Sequence, residues 1–198
     1  MSKRPGANKE NLEETRKIFL TIARAEFCEQ GYANASTSRI VEKSGMARGS
    51  LYYHFGDKQG LFQAVFEELM EEALETVNTT MNKANNPWDM LMIGTQSYLD
   101  LCMKKDFRKI TLIESQAAMA YKDRLVIHER GLIGRLRTLV MELMQTGHFP
   151  AHTEKTIAVF IFGTLGEIGR SFDFSEDLKG DREIYRKALA DSLERIKH

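Results

Sequence analysis

The sequence predicts an all-α fold in two unequal parts, a short N-terminal unit of three helices and a larger helical remainder. Three observations predict it. The 198 residues contain only three prolines, Pro5, Pro87 and Pro150, which favours long helices over a loop-rich β fold. Apolar residues make up 42% of the chain and recur at spacings of three and four, the period of an amphipathic helix. Between these stretches stand residues that start and stop helices: hydroxyl, Asn or Asp side chains on one side, glycine on the other.

The first expected helix covers 13–30, with Ile18, Phe19, Ile22, Ala23, Ala25 and Phe27 on one face and Gly31 placed as a left-handed C′ residue. Ser36-Thr37-Ser38 then suits an N-cap for a second helix of about two turns, stopped by Gly45. Met46 and Ala47 form a tight connection to a third segment, 48–55, which Gly56 ends; Asp57 is placed to cap a fourth helix from Lys58. Helices of about eight residues are marginal in water and must pack on something. Phe27, Tyr32, Ile40, Val41, Met46, Leu51, Phe55, Leu61 and Phe62 supply the shared core, so the pattern is a helix-turn-helix with a longer helix in front.

Downstream, helices are expected over 58–78, from Asn86-Pro87 to 104, from Asp106 to 121, and then as one long helix to 145. Pro150 breaks the chain before a helix capped by Thr153, and a last helix covers 181–197. Gly163, Gly166 and Gly169 lie inside the helix after Thr153 at a propensity cost of about 1 kcal/mol each; close helix packing is the expected compensation.

Charge and composition exclude several classes. The 28 Lys+Arg balance 28 Asp+Glu, but residues 1–60 hold ten cations and seven anions, and residues 61–198 hold 18 and 21. A net +3 ahead of a net −3 suits a polyanion-facing module on a carrier that repels polyanions, or is simple scatter. The longest apolar run, 157–165, is about half the roughly 20 residues that a membrane span needs. With no apolar leader at the start, the expectation is a soluble, cytoplasmic protein without a membrane partner. Cys28 and Cys102 are isolated, and His148 and His152 are separated by Pro150, so neither a disulfide framework nor a metal site is expected. No phosphate-cradling glycine loop and no Gly-x-Ser-x-Gly elbow is present, so no enzyme and no cofactor is expected.

The run Thr37-Ser38-Arg39-Ile40-Val41 through Gly45-Met46, followed by Gly49-Ser50-Leu51-Tyr52-Tyr53-His54-Phe55 and Lys58, resembles the DNA-binding domain of the tetracycline-repressor-like (TetR) family. The likeness covers about 13–62. It implies a homodimer with an N-terminal helix-turn-helix and a larger C-terminal ligand-binding and dimerisation domain, giving an arm over 1–12, a DNA-binding domain over 13–60 and a second domain over 61–198. The implied function is a ligand-responsive repressor that binds a palindromic double-stranded operator and is released by a small molecule. Arg48, Ser50 and Tyr52 would face the major groove. Arg48 would read guanine, a contact worth about 1–3 kcal/mol of discrimination, or touch phosphate. Thr37, Ser38, Tyr53, His54 and Lys58 would contact the backbone, and Gly49 would allow close approach. Tyr52 suits the core equally, and His54 a buried bridge across the turn. Ala47 stands where the family has a hydroxyl cap.

For the second domain, Trp88, Met92, Tyr98, Cys102, Met103, Phe107, Met119 and Phe160 are either ordinary core or the lining of a pocket for an apolar or aromatic effector. Glu114, if it faced inward, would bias that pocket toward a cation or a hydrogen-bond donor. The likeness also implies that the last two helices pair with their symmetry mates, through Ile157, Ile161, Leu165, Ile184, Leu189 and Leu193; covering their own core is the alternative.

Overall fold

A computed structural model describes residues 5–197. Among them there is no strand. Helix α1 runs Pro5–Asn34, so the helix begins well before the periodic stretch at 13. Residues 1–4 of the expected arm lie outside the described residues. Gly31 kinks α1 at φ +71°, the left-handed stop read from the sequence.

Helix α2 is Thr37–Ser44. The Ser36 hydroxyl accepts from the Arg39 N–H, and Gly45 ends the helix at φ +65°. Helix α3 is Arg48–Phe55; its N-cap, Ala47, provides no side-chain hydrogen bond. Asp57 caps α4, Lys58–Met81, by accepting from the Gly60 N–H at 2.7 Å. Gly60 is obligatory here, because a Cβ would stand 2.0 Å from the Phe55 carbonyl oxygen.

One apolar core holds α1 to α4 together. Phe27 and Tyr32 pack edge-on against Phe62, with ring centroids 5.0 and 5.1 Å away, and Ile40 and Leu51 are fully buried beside them. The upper turns of α4 (Leu61, Phe62, Val65) share this core, while Ala73, Val77 and Met81 belong to the second one. The division near residue 60 therefore falls inside a continuous helix.

Helix α5 is Pro87–Met103, with Pro87 at its first turn and Asn86 capping the Asp89 N–H. The expected helix from Asp106 breaks into three pieces: α6 (Lys105–Phe107), a π-helix over Arg108–Glu114 and α7 (Ser115–Ala118). The expected long helix is likewise two, α8 (Tyr121–Arg130) and α9 (Leu132–Gln145), because Gly131 leaves helical geometry at φ −111°, ψ −115°. Helix α10 is Glu154–Ser171. Thr153 precedes it without a capping bond, its hydroxyl donating instead to the Pro150 carbonyl. Helix α11, Leu178–Ile196, starts a turn early because Asp177 caps the Gly180 N–H.

The three glycines of α10 divide. Gly169 meets the close-packing expectation, since a Cβ there would sit 2.5 Å from Leu112 and 2.8 Å from the Cys102 sulfur. Gly163 and Gly166 have no tight neighbour and instead border a cavity.

Candidate nucleic-acid interface and ligand cavity

Helix α3 buries only Leu51, and its other side is a compact polar surface. Arg48, Gly49, Tyr52 and Tyr53 are exposed, Tyr53 by 75%. The exposure of Tyr52 removes the core alternative. The Arg48 guanidinium donates to the Tyr52 hydroxyl at 3.2 Å and lies over its ring, 5.5 Å from the centroid. That contact holds the Tyr52 phenol below its usual range and presents cation and phenol as one unit. Nothing stands within 4 Å of a Cβ built on Gly49, so the surface there is flat and open. Ser38 is exposed and Thr37 and Ser50 are half-buried beside this face.

Two expected backbone contacts are engaged internally. Lys58 Nζ donates to the Ala33 carbonyl at 3.1 Å and sits 4.9 Å from the Tyr32 ring centroid, closing the end of α1. His54 Nε2 is buried without a partner, and its ring packs edge-on to Tyr53 and tilted on Phe55. With Nε2 unpartnered, His54 makes no bridge across the turn.

The sequence reading missed Glu26. Its side chain is buried, accepting from Arg39 Nε at 2.7 Å and the Ser36 N–H at 3.1 Å, with Lys43 Nζ 3.5 Å away. Burial pushes this carboxyl upward, but the Arg39 and Ser36 bonds outweigh it and hold the acid below its usual value. Glu26 thus ties the start of α2 to α1 and sets the angle at which α3 is presented. A lone glutamate on an otherwise apolar helix face is the signal that could have exposed it.

The second domain contains a cavity of about 280 Å³ between α5, the π-helix, α8 and α10. Tyr98 and Phe162 separate it from an inner, nearly apolar chamber of about 50 Å³ that Val77, Leu91, Leu136 and Ile161 help to line. Helix α8 lies over the larger space with no buried residue of its own, presenting Tyr121, Arg124, Leu125 and His128 to it. His128 packs edge-on to Phe66 and Phe162, and burial, reinforced by Arg124, lowers it to about 4.

Of the expected lining residues, Tyr98 alone borders these two spaces. Trp88 is buried at the far end of the bundle, stacked on His148 and donating to Glu194 at 2.7 Å. Cys102 and Phe107 are sealed in the core behind Tyr98, and Met119 is buried, while Met92 and Met103 pack on the core from outside. Phe160 is 49% exposed, because the helical period turns it away from the cavity while Phe162 turns in. Glu114 faces the other way altogether: it accepts from the Tyr32 N–H at 2.7 Å, and a Cβ on Gly31 would stand 2.9 Å from it. The cavity-lining charges that the sequence reading missed are Arg124, Glu129 and Arg170 on the larger space and Arg135 on the inner one.

The expected pairing residues also separate. Ile161, Leu165, Leu189 and Leu193 are buried in the chain's own core, and Ile157 is half-buried. Ile184 is 64% exposed, and Phe160, Phe174 and Ile196 are also exposed apolar residues, while Val159 borders the cavity. An apolar stripe alone does not say whether its cover comes from the same chain or another.

Two family models match this chain: "Bacterial regulatory proteins, tetR family" over residues 19–65 and "Tetracyclin repressor-like, C-terminal domain" over residues 88–195. The repressor AcnR of Corynebacterium glutamicum is 43% identical over 51 residues, 26% of this chain and 27% of that protein. The chain thus aligns with about a quarter of the length of such curated relatives, the helix-turn-helix end. A TetR-family transcriptional regulator from Pectobacterium atrosepticum matches 95% of this chain and 96% of its own at 26% identity and a TM-score of 0.78. FadR of Bacillus subtilis, solved in complex with stearoyl-CoA, shares the fold over 92% of this chain and 99% of its own, with a TM-score of 0.79 at 19% identity.

Fold and family models together define a two-domain helix-turn-helix protein. The chain belongs to the TetR family.

Proposed function

We propose that the protein is a repressor that binds a palindromic operator as a homodimer and leaves it when a small molecule enters the cavity of the second domain. The observation that carries this reading is a single element shared by cavity and reading head. The π-helix contributes Thr111 and Leu112 to the cavity wall, and its last residue, Glu114, holds the Tyr32 N–H. Tyr32 in turn packs on Phe27 and Phe62 and carries Lys58 on its ring. A ligand that moves this wall moves the end of α1, and with it the angle of α2 and α3. Ligand and DNA then oppose each other through a coupling of about 1–3 kcal/mol.

The exposed residues Phe160 on α10, Phe174 in the 3-10 turn that follows it and Ile184 on α11 are apolar positions suited to a second copy. Pairing there supports two recognition helices at the roughly 34–36 Å spacing of successive major grooves. The complex of FadR with stearoyl-CoA supports effector binding in this fold; at about 280 Å³ the cavity here is at the low end for ligand sites and favours a smaller molecule.

Selecting duplexes from a random pool and measuring affinity for the winner across salt tests the reading. A repressor gives a palindromic winner, a specific-over-random ratio of at least about 10³, and a steep fall in affinity as salt rises. Equal affinity for random duplex would overturn it. Arg48→Ala is expected to flatten sequence preference by about 1–3 kcal/mol at one position of each half-site. Glu114→Ala is expected to keep duplex affinity and shrink the loss of affinity on adding ligand, read by the same assay with and without ligand.

A further inference from the structure

The charges around the larger cavity do not balance. Arg124 donates through Nη1 to the carbonyls of Ser115 and Met119, at 2.8 and 2.7 Å. These acceptors are neutral, and no ion pair joins Arg124 to a carboxylate among the described residues. On α10, Arg170 borders the same space and is paired with Glu167, whose side chain is largely exposed. The one carboxylate on the cavity wall, Glu129, is already bound to Arg137 at 3.2 Å. The wall therefore presents one guanidinium with no counter-charge and a second whose counter-charge is solvated.

Two polar atoms beside these cations also lack partners. Tyr98 is only 3% exposed, its hydroxyl is buried with nothing to bond, and it borders both chambers. Nδ1 of His128 is buried in the same condition. Buried polar groups in native proteins are bonded, so these two orphans, which water does not reach from the cavity, are groups that a ligand atom admitted beside them would satisfy. Burial holds the Tyr98 phenol well above its usual range, so it stays protonated and donates. The remaining wall is mostly apolar, with Leu112, Leu125, Ile133 and Phe162 beside the neutral polar groups of Thr111, Ser115 and Gln116, and Gly163 and Gly166 leave the surface of α10 bare.

Resting on the reading of this cavity as the effector site, we infer that the ligand is a small monocarboxylate with an aromatic or branched apolar body. Its carboxylate meets Arg124, with Arg170 as the second cation, and accepts from the Tyr98 hydroxyl; its body lies on Phe162 toward the inner chamber. On the larger cavity's wall one uncompensated guanidinium matches one negative charge, and Arg135, which bonds the neutral Asn78 at 3.2 Å, adds positive charge at the inner chamber. This reverses the bias toward cations that an inward Glu114 implied.

Calorimetric titration of the full chain with benzoate, phenylacetate, 4-phenylbutyrate and octanoate tests the assignment, alongside 4-phenylbutyramide and 4-phenylbutylamine as neutral and cationic counterparts. The expected result is saturable binding of at least one carboxylate, at least tenfold tighter than the amide, with no binding of the amine. Arg124→Gln and Arg170→Gln should each weaken the carboxylate tenfold or more and leave the amide unchanged. Tyr98→Phe removes only the orphan hydroxyl, so it should leave the ligand-free melting temperature the same or higher while weakening the carboxylate.

No carboxylate binding, amide or amine binding as tightly as the acid, or indifference to both arginine substitutions overturns the proposal. Gly163→Leu, at a position where a Cβ meets nothing within 4 Å, separates the two readings. Loss of amide or amine binding in that variant keeps the cavity as the effector site and rejects the anion. Retention of all binding rejects the cavity itself.

Discussion

The reading head and the cavity domain handle buried polar groups in opposite ways. Around Glu26 each buried oxygen has donors, from Arg39, Lys43 and the Ser36 N–H, and the rings of Phe27, Tyr32 and Phe62 close over the rest. Around Tyr98 and His128 the polar atoms are left unpartnered, α8 buries nothing of its own, and two glycines keep a helix wall bare. On the proposed function, the surface that meets a duplex gains from a core with a single arrangement. The region that admits a molecule then forgoes stability where the molecule sits.

Core truncation should break or sharpen that contrast most strongly. Phe27→Ala, in the sealed core, is expected to cost about 3–5 kcal/mol, whereas Phe162→Ala, beside existing space, should cost about 1–2 kcal/mol. Urea denaturation of both variants measures the difference, and equal losses would mean that the cavity wall is packed as tightly as the head.

Gly31→Ala comes next, at about 1–3 kcal/mol, because it forces a side chain into φ +71° and against Glu114. That loss should shrink in a Glu114→Ala background, measured by a double-mutant cycle on melting temperature.

The smallest contrast lies in pH. His128 is held at about 4 against an ordinary 6.5, so the unfolded chain takes up a proton first and stability falls as pH drops from about 6.5 toward 4. The loss should be on the order of 2 kcal/mol, and His128→Asn should remove it. Glu26 acts lower down: its carboxyl is held below 4.5, so its contribution is complete above that value and disappears as pH falls beneath it. Melting curves from pH 7 to pH 3.5 should show two separate declines, of which only the upper vanishes in His128→Asn.

The reading head was legible because its signals are local. Gly31, Gly45 and Asp57 each declare a backbone state within a few residues, and the structure places each as expected. Even there, Glu26 stayed hidden, since its partners come from another helix. In the second domain the same method found helices but misjudged their joints. The turn geometry at Gly131 and the π-helix over Arg108–Glu114 reflect packing rather than local preference. The lining residues were missed because a cavity is space left between helices. Periodicity that put Phe160 among candidates could not say that Phe162 faces inward.

Local chemistry along the chain settled where α2 and α3 begin and end, the polar character of the third helix outside Leu51, and the family to which that pattern belongs. These follow from dihedral preference, capping and the 3.6-residue period, all of which act within one or two turns. The partner of Glu114, found 82 residues away, the uncompensated charge of Arg124 and the outward turn of Ile184 were decided only when the helices packed. Burial and electrostatic pairing depend on neighbours in space, and those neighbours are assigned by the fold as a whole.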